Sequence, residues 1–167
     1  IATQGGKSGA CPTHNLVAAY EYVGTPDPEN PYANRDPRLA ASVVTNGSTW
    51  NGRVIDQSAG ATDDMANANA SRTGYYLKKF LTDNLNLVQG QAAQHNWVAY
   101  RWGEVLLNYA EAMNEAYGPD AVPAGFTISA RQALQQVRDR ASTKLPKVVA
   151  SDQESFREAV KRERRVE

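Results

Sequence analysis

"YRWGEVLLNYAEAMNEAYG", residues 100–118, decides the fold of this chain. Trp102, Val105, Leu106, Tyr109, Ala110, Met113, Ala116 and Tyr117 recur at steps of three and four, the spacing of one buried helical stripe. Glu104, Asn108, Glu111 and Glu115 fall on the opposite side. Gly118 followed by Pro119 closes the helix, because Gly accepts a left-handed cap and Pro cannot continue. Rings and a Met on an inner stripe read as core rather than as a cofactor box, and the glutamates read as a solvated face. Nothing in this helix calls for chemistry.

Outward toward the C-terminus the helical pattern continues. Ser129 with Gln132, and Ser151 with Glu154, match the capping-box spacing. Between them Ala130, Ala133, Leu134, Val137 and Ala141 make the stripe of a second helix, and Phe156, Ala159 and Val160 open a third in "SFREAVKRERRVE". Helices over 102–117 and 130–141 are expected to pack antiparallel through Leu106, Tyr109, Met113, Leu134 and Val137. They form a pair of tetratricopeptide-like proportions, although stacked repeats need about three units for stability. The third helix has no terminator, so the chain is expected to be a fragment.

The preceding residues are of another kind. Thr13 caps a short helix with Leu16, Ala19, Tyr20 and Val23 inward. "GTPDPENPYANRDPRL" packs four prolines into sixteen residues, too many for a helix or a central strand. "ASVVTNGSTWNGRVI" reads as a hairpin, with Val43 and Val44 on one arm, Val54 and Ile55 on the other, and Asn46-Gly47 and Asn51-Gly52 as turns. "SAGATDDMANANASR" reads as a mobile surface loop, and "TGYYLKKFL" as a short strand or turn with Tyr75 or Tyr76, Leu77 and Phe80 inward. The whole is mainly α, with residues 98–167 helical and residues 1–97 loop-rich around a short helix and a hairpin.

Composition narrows the function. Eighteen Lys and Arg balance eighteen Asp and Glu, so the basic excess of a nucleic-acid binder is missing. No run approaches the roughly 18 apolar residues of a membrane span. "SGAC" looks like the end of a lipoprotein signal, yet the residues before Cys11 lack the apolar segment such a signal needs. Cys11 is the only cysteine, so no disulfide forms within the chain.

Catalytic and metal signatures are sparse. His14 and His95 sit in no ligand-spaced motif, and no phosphate loop, nucleophile elbow or His-Glu-x-x-His is present. Asp63-Asp64 reads as an exposed solvated pair rather than a calcium site, and "KRERR" as a solvated helix face. No cofactor and no enzyme activity are expected. Aromatic residues among polar neighbours are the remaining signal, since a sugar offers C–H faces to stack and hydroxyls to satisfy. Trp50 lies at the hairpin tip with Asn51 and Arg53, Trp97 follows Gln94, His95 and Asn96, and Tyr32 sits between Asn30 and Asn34. A Trp that anchors its loop to the core fits these positions equally.

"PTHNLVAAYE", "NPYANRDPRLAASVVTNGSTWNG", "TGYYLKKFL", "YRWGEVLLNYAEAMNEA", "ALQQVRDRAS" and "FREAVKRERRVE", in this order, resemble the C-terminal half of the SusD/RagB family of nutrient-binding lipoproteins. The resemblance implies a SusD-like C-terminal region on the extracellular face of the bacterial outer membrane, held by a lipid anchor absent from this chain. It implies a SusC-like TonB-dependent transporter as partner, an oligosaccharide (or, as in RagB, a peptide) as ligand, and no catalysis. A tetratricopeptide-like protein-interaction module is the alternative. Family ligand sites lie on variable loops, so Trp50, Trp97, Tyr32, Asn51 and Arg53 rest on their chemistry alone.

Overall fold

The structure, a computed structural model, describes residues 6–82 and 84–167. They fall into two compact units: one runs to Tyr20 and resumes over Pro26–Asn96, and the other comprises Glu21–Thr25 and Trp97–Glu167. No helix among the described residues is long and apolar enough to cross a membrane.

The first unit opens with α1 (His14–Ala19), where the Thr13 hydroxyl accepts from the Leu16 N–H at 3.3 Å. Val17 and Tyr20 carry its buried face, while Leu16 and Ala19 are half-buried and Val23, beyond the last turn, is exposed. A second short helix, α2 (Arg38–Ser42), leads directly into β1 (Val43–Val44). The expected hairpin is smaller than its sequence suggests. It joins β2 (Thr49–Trp50) to β3 (Arg53–Val54) through Asn51 and Gly52, whose φ values of 47° and 77° are those of a two-residue I′ turn. Val43 and Val44 pair instead with Leu77 and Tyr76 of β4 (Tyr76–Leu77), so the outer arm comes from far along the chain.

That pairing builds the small core of this unit from Val44, Trp50, Ile55 and Tyr76. Strand alternation turns Tyr76 inward and Leu77 outward, and Phe80 is exposed as well, against the inward placement expected for both. The stretch after the hairpin is also more ordered than a mobile loop. Asp63 is buried, Ala70 and Ser71 are buried, and the Ser71 hydroxyl donates to the Tyr75 carbonyl at 2.6 Å. The backbone of this loop meets its polar needs through its own turns and side chains.

The second unit contains α3 (Trp102–Tyr117), α4 (Ala130–Arg138) and α5 (Gln153–Val166). Arg131 N–H bonds Pro119 O at the end of α3, so α4 starts beside that end and runs back along α3. The Asn114 side chain bonds Gln153 O, while Arg101 bonds Glu167 O, so α5 is antiparallel to α3 too. The core gathers Leu106, Leu107, Ala110 and Met113 with Leu134, Val137, Phe156 and Val160, and Tyr109 packs at its edge.

Packing two helices on α3 moves its buried arc. Leu107 and Asn114 are buried, whereas Trp102, Val105, Ala116 and Tyr117, expected inside, are exposed. The Ser129–Gln132 capping box forms as the spacing predicts. At α5 the box falls one residue later, between Asp152 and Ser155, with the Asp152 carboxylate accepting from the Ser155 N–H at 2.8 Å. Helix α4 ends at Arg138 and leaves Ala141 exposed, with Thr143 Oγ1 closing onto Arg138 O at 2.9 Å. The "KRERR" segment is only partly a solvated face, because Glu163 lies buried against Arg138.

Candidate functional site

Four of the five sequence candidates lie in the first unit, and the proline-rich loop and the hairpin determine what each can do. Trp50 does not present its ring to solvent: it is 6% exposed and belongs to the core. Trp50 packs inward with Val44, Ile55 and Tyr76, while Arg53, its partner across the turn, turns its guanidinium to Asp63. On the open side the Lys78 ammonium stands 5.5 Å from the Trp50 ring centroid, a cation–π distance. The sequence reading missed Lys78. Its place over Trp50 depends on β1 pairing with β4, which no local signal announces.

Arg53 and Asn51 are likewise engaged. The Arg53 guanidinium forks onto Asp63, with Nη1 donating to Oδ2 at 2.6 Å, and the Asp56 N–H adds a bond to the same oxygen. Burial pushes the Asp63 carboxyl up, but the bonds from Arg53 and Asp56 outweigh it and hold it below its ordinary value. Asp63 is therefore an internal ion-pair member rather than an exposed partner for calcium. Asp64, its neighbour, ties the loop by accepting from the Gly60 and Ala66 N–H groups at 2.7 and 2.9 Å. The Asn51 carbonyl oxygen accepts from the Asn84 N–H at 3.0 Å and pins the following segment to the turn.

Tyr32 is the candidate placed at a cavity. Half-buried, it lines a space of about 210 Å³ with Arg35, Thr45, Ser48, Thr49 and Lys78. Its backbone N–H is held by Asn30 Oδ1 at 3.1 Å, an Asx turn of the kind such loops use. Its ring meets Tyr75 edge-on at 6.2 Å between centroids. Burial first, and then a hydrogen bond to Tyr75, push the Tyr32 phenol up to about 12. Tyr75 in turn lies 2.9 Å from His14 Nδ1, so the ring orientation is fixed by a chain of three side chains.

Hydrogen bonds brace the floor of this cavity. Arg35 Nε donates to Pro31 O at 2.7 Å and Nη1 to Tyr20 O at 2.8 Å, which folds the proline-rich loop around its guanidinium. Asp36, 1% exposed, accepts from Arg38 Nη2 at 2.6 Å and from the Arg38 N–H at 2.9 Å. The "NRDPR" run thus builds the wall: Arg35 and the Asp36–Arg38 pair secure the backbone, and Tyr32 supplies the ring. Hydroxyl-bearing side chains, two cations and one aromatic ring around a cavity suit a polyhydroxylated ligand.

Trp97 lies in the second unit and is 93% exposed, and Tyr100 shortly after it and Trp102 at the start of α3 are exposed too. No described residue provides a group of three or more His, Cys, Asp or Glu side chains that could hold a metal ion.

The SusD family model matches residues 2–167, and the chain belongs to that family. A solved structure of a SusD-like carbohydrate-binding protein from Bacteroides fragilis is 28% identical, with a TM-score of 0.73 over 93% of this chain and 32% of its own. A second SusD-like protein from the same organism is 26% identical, with a TM-score of 0.74 over 96% of this chain and 34% of its own. The chain therefore spans about a third of the length of these solved relatives. No curated protein matches it.

Proposed function

We propose that this SusD-family chain is part of a non-catalytic glycan-binding component of a nutrient uptake system at the bacterial cell surface. In this reading the residues form part of a SusD-like C-terminal domain, the whole protein sits on the extracellular face of the outer membrane, and a SusC-like TonB-dependent transporter receives the ligand. Family membership supports the role, and a solved relative described as carbohydrate-binding supports the ligand class.

The observation that carries the reading to particular residues is the Tyr32 cavity. It combines a half-buried ring with Thr45 and Thr49 on a wall braced by Arg35 and the Asp36–Arg38 pair, where the Ser48 hydroxyl is taken up by the Thr45 backbone. Pre-organised walls of this kind limit the entropy lost on binding. Arg53 and Asn51 act one step removed, by holding the neighbouring loops, and Trp50 anchors the strand that carries Thr49.

A glycan array and a peptide library, both screened against the full-length protein, test the ligand class. Saturable binding of oligosaccharides without comparable peptide binding is expected. Peptide binding in the absence of any sugar binding would replace this reading with that of a RagB-like peptide receptor.

A further inference from the structure

The charge of the Tyr32 cavity narrows the ligand further. We propose that it selects anionic oligosaccharides, with the Lys78 ammonium receiving a carboxylate or sulfate group of the sugar. The inference rests on the reading of this cavity as the glycan site.

The wall carries two cations, Arg35 and Lys78, and a single carboxylate, Asp36. Asp36 does not offset them, because it is buried and held by Arg38 through Nε at 3.0 Å and Nη2 at 2.6 Å. Arg35 donates to the Pro31 and Tyr20 carbonyls, which position its guanidinium at the cavity. Its field reaches Tyr32, where it opposes the rise of the phenol. A cavity walled by protein focuses such a field and enriches ligands of the opposite sign.

Lys78 is the group placed to make direct contact. Its Nζ donates to Ala40 O at 2.9 Å and lies over the Trp50 ring. Neither partner is a carboxylate, and an ammonium has three donors, so N–H groups remain for a ligand. The carbonyl and the indole hold the charge at the cavity wall without neutralising it. A neutral sugar would gain hydrogen bonds there, whereas an acidic sugar gains charge-assisted ones, which are about twice as strong.

Calorimetric titration of the full-length protein with three probes tests the inference: a galacturonic acid oligosaccharide, a sulfated galactan oligosaccharide and a neutral cello-oligosaccharide. The two anionic arms distinguish a carboxylate from a sulfate as the recognised group. At least one should bind more tightly than the neutral probe and weaken as salt screens the charge. Lys78→Gln, which keeps a donor for Ala40 O, should weaken that probe roughly 5-fold, the scale of one partly exposed ion pair, and the neutral probe by a smaller factor.

Equal binding of all three probes, or salt-independent binding of the anionic ones, overturns the charge preference. If Tyr32→Ala weakens every probe in that case, the glycan site itself stands. Binding of none of the probes, or affinities untouched by both Tyr32→Ala and Lys78→Gln, overturns the inference and the site together.

Discussion

Arg138 at the end of α4 and Glu163 on α5, 25 residues apart in the chain, meet at 2.7 Å with side chains 3% and 2% exposed. Arg138 also donates to Pro146 O and reaches Glu21 of the Glu21–Thr25 segment. One guanidinium therefore joins two helical elements, the loop between them and an N-terminal segment of the same unit. Removing one member of a buried pair costs about 3–5 kcal/mol, whereas replacing both with apolar residues of similar volume can be neutral. Arg138→Met should lower the stability of the chain by that amount, and Arg138→Met with Glu163→Leu should recover most of it. Thermal unfolding of the two variants checks this. An additive loss in the double variant would mean that the pair does not act as a unit.

Asp63 makes a prediction about pH. Its folded carboxyl lies below the ordinary 3.8, so its contribution to stability is fully present above that value and is lost as pH falls through the folded one. Asp63→Asn should lower Tm at pH 7, and the two melting curves should converge below about pH 4. A Tm difference that persists at low pH would show that the Arg53 pair is not its source.

Trp50 is predicted to be a stability residue. It is buried with Val44, Ile55 and Tyr76, so Trp50→Ala should cost about 3–5 kcal/mol. Urea unfolding gives the number. A small loss of stability, with a large loss of sugar affinity, would return Trp50 to the binding surface.

What the sequence made legible follows the range of the interactions. The Ser129–Gln132 box and the Asn51-Gly52 turn are decided within four residues, and both form as their spacing predicts. The stripe of α3 is right at Leu106, Ala110 and Met113 but turned at its edges, because α5 covers Leu107 and Asn114. A single helical period cannot say how many neighbours a helix has. The pairing of Val43 with Leu77 was hidden for the same reason, since nothing near either residue names the other. That pairing takes Trp50 into the core and brings Lys78 to the cavity that Tyr32 lines, so Tyr32 could be singled out from its neighbours in sequence and Lys78 could not. The family resemblance was carried by segments that turn out to be mostly framework: Asp36 and Arg38 brace a loop, and Glu163 closes a buried pair.

Tyr32→Ala in the full-length protein separates a sugar-binding ring from a structural one. Oligosaccharide affinity and Tm are measured on the same preparation. If the ring is a binding face on a wall held by Arg35 and Asp36, affinity should fall by roughly 1–3 kcal/mol, the scale of stacking on an aromatic side chain. Tm should change little, because Tyr32 is only half-buried. Unchanged affinity together with a large drop in Tm would remove Tyr32 from the binding site and make it a strut of the proline-rich loop.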